Sequence, residues 1–308
     1  MFGCAEVLAQ ETKFVSKKTT IDLIDYFEEY YVLKSDPTFK EGTYVRYRAG
    51  WTGVVVLESG NYKNGDRIGL WETYYDPNHS HQRNSIRERG HYANDKRNGL
   101  WAFFYLDTLS NQPNTKIYGK KHKPDSINIY IEQGAATVRL AGMYLNDKKV
   151  GEWTSFDRKG KLIQKYNFST GILYDKSIGD SINHYSNRSP LYLGGREQLD
   201  FHLHTEIRKS SVFDDLHGAK QDSVAAVATF TIDEMGKVKD ILLYHSNAPR
   251  KFNAELLRVI STTEYFWIPA LRGGKKVEFN TKMTMAVNIK KVEKDYFELH
   301  LSFKFNDE

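Results

Sequence analysis

A mainly β chain joined to a smaller α+β part is predicted by three observations. Tyr, Phe and Trp make up 14% of the 308 residues, with 22 Gly and only 7 Pro, which is a composition of strands and turns. A short motif of Gly, Tyr, Asn and Trp recurs three times between Gly60 and Trp153. Beyond Leu191 the pattern changes to helix, two hairpinned strands, helix and strand. The length admits about two domains at ~150 residues each. The net charge, 44 − 39 = +5, is spread along the chain and favours solubility over nucleic-acid binding. The single Cys, Cys4, excludes a disulfide framework and an all-Cys metal site. No run approaches ~18 apolar residues, so no transmembrane helix is expected.

The repeat reads Gly60-Asn-Tyr62-Lys-Asn64 to Gly69-Leu-Trp71, then Gly90-His-Tyr92-Ala-Asn94 to Gly99-Leu-Trp101, then Gly142-Met-Tyr144-Leu-Asn146 to Gly151-Glu-Trp153. Each copy is G-x-Y-x-N-x4-G-x-W. Tyr and Trp alternate with polar residues, so each half is a short strand with one aromatic face. Asn64-Gly65, Asn94-Asp95 and Asn146-Asp147 are residue types that tolerate the positive φ of a hairpin turn. A lone hairpin cannot bury its Trp, so neighbouring copies should stack into an elongated antiparallel sheet. Tyr62, Trp71, Tyr92, Trp101, Tyr144 and Trp153 are therefore expected to be structural. Gly42-Thr-Tyr44 reads as the degenerate start of a further copy, and Ser110–Ser126 as a polar insert carrying Lys120, Lys121 and Lys123.

These hairpins resemble MORN repeats, in particular the MORN-like repeats of bacterial proteins, some of them antitoxin-like. The resemblance covers residues 28–174 and implies a scaffold or interaction surface rather than chemistry.

Residues 175–190 are polar, rich in Ser and Asn, and end in Pro190, the composition of a linker. The next 101 residues, 191–291, form the second domain. Arg196–Arg208 carries Leu199, Leu203 and Ile207 at helical spacing. Val224–Ile232 and Val238–Tyr244 flank the turn at Gly236. A second helix after Pro249 places Phe252, Leu256, Val259 and Ile260 on one face. Val277–Ile289 alternates as one long strand. Residues 292–308 follow as an extra strand, alternating Phe297, Leu299, Leu301, Phe303 and Phe305.

This order, with the Val227-x-x-Phe230-x-Ile232-Asp233…Gly236-Lys237-Val238 hairpin and the Trp267-x-Pro269-Ala270…Gly274-Lys275-x-Val277 segment, resembles the C-terminal domain of TonB. The resemblance implies a two-helix, three-strand α+β sandwich that binds a short peptide of an outer-membrane receptor by strand addition. By resemblance the docking edge is Val277–Ile289, with Glu278, Asn280, Lys282, Thr284 and Asn288 flanking the guest. An added C-terminal strand on that edge would weaken the peptide-binding reading.

Residues 1–10 read either as the tail of a secretory signal, with Val7-Leu8-Ala9 before a cut or Cys4 as a lipidation site, or as a frayed cytoplasmic terminus. No catalytic set, cofactor motif or metal site is expected. His202 and His204 are two apart on a helix and point to different faces, and they are expected to be solvated. Glu28-Glu29 and Asp214-Asp215 are adjacent without a partner base. The expectation is a non-enzymatic protein of the periplasm or cell envelope. Its partner would be a protein or peptide, such as an outer-membrane TonB-dependent receptor, with membrane contact only through lipidation or an upstream signal. The alternative is a cytoplasmic, antitoxin-like interaction protein that binds through its repeats.

Overall fold

The computed structural model describes residues 11–21, 24–50, 53–76, 85–106, 116–118, 128–130, 137–175, 179–182, 186–207, 216, 223–264, 266–293 and 296–306. Cys4, Asp214-Asp215 and Lys120–Lys123 lie outside them. The chain forms two compact units, Met1–Lys161 with Asn167–Thr170, and Leu162–Tyr166 with Gly171–Glu308.

The first unit is mostly one long antiparallel sheet. Its strands are β1 (Thr12–Ile21), β2 (Ile24–Leu33), β3 (Lys40–Gly50), β4 (Gly53–Lys63), β5 (Asp66–Tyr74), β6 (Ile86–Ala93) and β7 (Lys96–Phe104). A small hairpin, β8 (Lys116–Tyr118) with β9 (Asn128–Tyr130), precedes β10 (Val138–Leu145) and β11 (Lys148–Phe156). The sheet runs in chain order from β1 to β7 and continues with β10 and β11. It begins sixteen residues before the expected boundary, because β1 and β2 zip together over ten pairs from Thr12↔Leu33 to Ile21↔Ile24. That hairpin carries no repeat motif. It is held by cross-strand pairs such as Lys17↔Glu28, and β3 continues the ladder from β2.

The repeat spacing has a mechanical reason. Asn64 and Gly65, Asn94 and Asp95, and Asn146 and Asp147 all have positive φ, the signature of two-residue hairpin turns. Past each turn the ladder slips: Asn61↔Ile68 is followed by Ser59↔Glu72, so one residue, Gly60, faces three, Gly69, Leu70 and Trp71. The same slip recurs in β6–β7 and β10–β11. Gly69, Gly99 and Gly151 sit in the slip with φ of 65°, 81° and 60°, so their glycine serves backbone conformation. Gly60, Gly90 and Gly142 serve a different purpose. A Cβ at any of them would lie under 3.0 Å from the ring of Trp71, Trp101 or Trp153. Each Trp lies flat across the glycine of its hairpin partner strand.

The second unit holds β12 (Leu162–Asn167, save its last residue), β13 (Leu173–Asp175), β14 (Gly179–Ile182), β15 (Leu191–Tyr192), α1 (Gly195–Ile207), β16 (Ser223–Ile232), β17 (Val238–Ser246), α2 (Arg250–Ser261), β18 (Trp267–Ile268), β19 (Ala270–Arg272), β20 (Lys275–Val277), β21 (Phe279–Glu293) and β22 (Tyr296–Asn306). Leu199, Leu203 and Ile207 of α1 are buried, as are Phe252, Leu256, Val259 and Ile260 of α2, so the helical periodicities point inward. Arg258 ties the helices together, pairing with Glu255 on its own helix and donating to the Glu206 carbonyl at 3.0 Å. Gly236 closes the β16–β17 turn at φ 78°, where a Cβ would collide with the Trp267 carbonyl.

Two expectations change here. The segment 175–190 is not a plain linker: β14 pairs with β13, and Arg188 exchanges backbone hydrogen bonds with Leu271 at 2.9 and 2.8 Å. The strand expected over Val277–Ile289 is broken at Glu278, since β20 turns back on β19 while β21 joins the main sheet.

Candidate functional site

One face of the repeat sheet carries an unbroken aromatic file. Tyr62 meets Trp71 edge-on at 5.1 Å, Tyr92 meets Trp101 at 5.1 Å, and Tyr144 meets Trp153 at 4.9 Å. Two of the Trp also meet the next hairpin's Tyr, Trp71–Tyr92 at 5.9 Å and Trp101–Tyr144 at 6.0 Å, while Trp153 meets Phe168 at 6.2 Å. Every indole N–H donates to the carbonyl just after its partner glycine, at Asn61, His91 and Met143. The six repeat aromatics thus form one stack, with the three Trp buried.

A row of cations, not expected from the sequence, caps this file. Arg67, Arg97 and Lys149 stand three residues after Asn64, Asn94 and Asn146, directly opposite Tyr62, Tyr92 and Tyr144. Arg67 lies 5.8 Å from the Trp71 ring and 4.0 Å from Tyr92. Arg97 lies 4.3 Å from Trp101 and 5.4 Å from Tyr144. Lys149 lies 5.4 Å from Trp153 and 5.0 Å from Phe168. Each of these side chains therefore bridges its own hairpin and the next, and for the charged guanidiniums of Arg67 and Arg97 the contact is worth about 0.5–2 kcal/mol. Two strands separate successive members, which sets them ~9.5 Å apart.

The same geometry corrects the reading of Gly42-Thr-Tyr44. Lys40 reaches Tyr44 at 4.6 Å and Tyr62 at 4.9 Å, while Gly42 has a φ of 77° and open space around its missing Cβ. Tyr44 stacks on Trp71. Lys40, Gly42 and Tyr44 therefore match Arg67, Gly69 and Trp71, the closing half of a copy and not its start.

Carboxylates accompany the cations. Glu88 pairs with Arg97 at 3.2 Å. Burial raises the pKa of Glu58, with Glu88 and Glu28 adding and Arg46 and Arg67 opposing. Burial works against the charge of Arg97, but Glu88, Tyr144 and Tyr92 together outweigh it and the guanidinium stays protonated. Lys149 is partly exposed, yet burial against the rings, with the charge of Arg97, pushes it down to about 7. In the unfolded chain it titrates near 10.5. The unfolded state therefore binds more protons between these values, and stability should rise with pH from about 7 to about 10.5. Lys149→Met should remove this rise and be the more stable protein at pH 6. Chemical denaturation of both proteins across that window checks it.

The other face of the repeat sheet is unlike the first. Leu70 and Leu100, each next to its Trp, are 44% and 59% exposed, and Met143, directly opposite Leu100, is 44% exposed. Tyr74, Ile86 and Phe104 form a buried cluster with Val45, Tyr47 and Val56.

In the second unit the sheet order is β17-β16-β21-β22. β22 pairs with β21 from Lys282↔Asn306 to Glu293↔Tyr296, with one slip between Lys291 and Glu293. β21 is therefore an interior strand, and the docking edge expected there is occupied. The physical reason is apolar: Phe303 is buried, and Phe305 stacks on Trp267 at 5.1 Å. Of the five expected flanking residues, Glu278 pairs with Lys239 of β17 at 2.8 Å and Asn280 accepts from the Thr231 hydroxyl at 2.7 Å. Lys282 lies over the Tyr244 ring at 5.3 Å. Thr284 sits between Val227 and Lys304, and Asn288 between Ser223 and His300.

The outer strands are β17 and β22. Arg196 of α1 donates to the Phe303 carbonyl at 2.6 Å, so a helix side chain engages part of β22. β17 carries three consecutive exposed apolar residues, Leu242, Leu243 and Tyr244, at 63%, 42% and 68%. Asp240, with φ of 52°, kinks this strand just before them.

His202 is buried, not solvated: its Nε2 is 2.9 Å from the Thr262 hydroxyl and its ring packs on Phe266. His204 meets the Phe303 ring instead, so the two histidines diverge. Glu29 is buried and accepts from the Tyr47 hydroxyl at 2.6 Å. Among the described residues no group of three His, Cys, Asp or Glu is placed to hold a metal ion, and no helix is long and apolar enough to cross a membrane. No family model, curated protein or solved structure matches the chain.

Proposed function

We propose that this chain is a non-catalytic interaction protein of the cell envelope, a MORN-like repeat scaffold carrying a TonB-like α+β domain that takes an extended peptide by strand addition. The observation that carries it is the outer strand β17 with Leu242, Leu243 and Tyr244 exposed in sequence. Backbone groups on an outer strand supply the affinity for a guest strand, and exposed apolar side chains supply grip. This moves the docking edge from β21, which is paired on both sides, to the opposite side of the sheet.

The test is selection from a displayed random peptide library on the whole chain, repeated with Leu242→Pro and Leu243→Pro. Successive amides of a strand point to opposite sides, so one substitution strikes the β16 ladder and the other the outer edge. The outer-edge variant is expected to keep its circular dichroism and lose about tenfold or more in affinity. Equal binding to both proline variants would sink the β17 assignment. A second reading, binding through the repeats, is favoured by the exposed stripe of Leu70, Leu100 and Met143. Its mark would be loss of binding in Leu100→Asp with β17 unaltered.

A further inference from the structure

The face of the repeat sheet away from the Trp file combines exposed apolar residues with a border of lysines. Leu70 stands opposite His91, and Leu100 opposite Met143, so these residues form one row that crosses the strands. The residue before each repeat Trp is Leu70, then Leu100, then Glu152, so two copies build the row and the third closes it. Lys63, Lys96 and Lys148 flank the three hairpin turns and are all exposed. Lys63 follows Tyr62, while Lys96 and Lys148 precede Arg97 and Lys149, so strand alternation places all three on the Leu face. Two acids of the same turns are engaged elsewhere: Asp95 pairs with Arg67, and Asp147 accepts from the Arg97 amide at 2.8 Å. A third, Asp66, stands opposite Lys63.

We propose that this face docks an acidic amphipathic helix of a protein partner, its apolar side on Leu70, Leu100 and Met143 and its carboxylates toward Lys63, Lys96 and Lys148. The inference rests on the second reading above, binding through the repeats, and is independent of β17. The row crosses strands whose ladders are already paired, so a guest strand finds no free backbone there, whereas a helix satisfies its own. The spacing suits a helix. Leu70 and Leu100 are two strands apart, ~9.5 Å, and seven helical residues advance ~10.5 Å. Met143 lies one strand further, ~4.8 Å, close to the ~5.4 Å of one helical turn. Lys96 stands four residues before Leu100, and Lys148 two before Val150, the partner of Met143. About 7–13 Å therefore separates the lysines from the apolar row, which sets their ammonium groups along the flank of a helix ~10 Å across. A second copy would bring the same basic border and be repelled. On the far side of the row the same face carries Glu72, paired with Arg89, and Glu152. Basic charge on one side alone matches a helix with one acidic flank better than a flat anionic membrane.

The experiment selects on the full chain from a displayed library of helical peptides. Five strand steps from β4 to β11 cover ~24 Å, so peptides of ~16 helical residues span the site. An apolar seam at i, i+7 and i+11 is fixed and the flanking positions are random. The expected result is enrichment of Asp and Glu on one flank of the selected helices. A selected peptide is then titrated against Leu100→Asp and against the triple variant Lys63→Glu, Lys96→Glu, Lys148→Glu, both checked by circular dichroism. Each should weaken binding about tenfold or more, and added salt should weaken binding to the unaltered chain. Loss in Leu100→Asp with none in the lysine variant overturns the acidic partner and leaves binding through the repeats standing. Peptides indifferent to Leu100→Asp overturn both. Flank composition is read on the unaltered chain, so flanks without acidic enrichment overturn the proposal even where a variant unfolds. Vesicles of phosphatidylcholine with phosphatidylserine, and sedimentation of the chain alone, test the other occupants. Vesicle binding or a dimer that Leu100→Asp abolishes, with no helix selected, overturns it as well.

Discussion

Gly90→Ala is expected to destabilise the repeat sheet by about 3 kcal/mol, a loss unusual for adding a single methyl group. The new Cβ would lie under 3.0 Å from Trp101 ring atoms, and that ring is held by its N–H bond to the His91 carbonyl and by Tyr92 and Tyr144 on either side. Tilting the indole would break a stack that continues into both neighbouring hairpins. Trp101→Ala, which empties a site only 2% exposed, should cost about 3–5 kcal/mol. Gly99→Ala is the control. Nothing lies within 4 Å of its missing Cβ, so only the left-handed φ of 81° opposes it, at about 1–2 kcal/mol. In the double variant Gly90→Ala with Trp101→Ala the clash disappears, so the combined loss should fall well short of the sum. Urea midpoints for the four proteins measure this. Equal costs for the two alanines, with additivity in the double variant, would remove the assignment of separate duties to the two glycines.

The spacing G-x-Y-x-N-x4-G-x-W was enough to place the hairpins and their aromatic face, because turn and alternation are local properties. It did not separate the two glycines, since one answers to a ring eleven residues away and the other to its own φ. Nor did it show Gly42-Thr-Tyr44 as a closing half. Lys40, two residues before Gly42, was the available signal, matching Arg67 before Gly69, Arg97 before Gly99 and Lys149 before Gly151. Those cations were legible as a fixed position within the x4 segment. Their role was not, because it depends on the next hairpin supplying the second ring. β1 and β2 are held by register to each other and to β3, which leaves no periodic mark in the sequence beyond alternation. The alternation of Phe303 and Phe305 announced a strand, but its partner was fixed only by the position of Trp267.

Truncation after Glu293 is expected to abolish cooperative unfolding of the second unit, because β22 belongs to its core. Removing it strips one whole side of β21 from Lys282 onward and takes away Phe303, 8% exposed, and the ring that stacks on Trp267. It also deletes the carbonyl that Arg196 of α1 engages. Phe303→Ala alone should cost about 3 kcal/mol, within the range for emptying a buried phenylalanine site. Against this stands a distinct possibility with a distinct outcome: a strand that merely occupies a docking edge can leave without unfolding what it covers. In that case the truncated chain would lose no more than about 1 kcal/mol. It would also bind a synthetic peptide of residues 296–306 tightly, and β21 with Lys282, Thr284 and Asn288 would return as the edge for strand addition. Intrinsic Trp fluorescence during denaturation separates the two, since Trp267 reports directly on the ring that truncation removes. The buried Phe303 and the Phe305–Trp267 stack favour the first outcome, and with it a binding surface on the far side of the sheet, at β17.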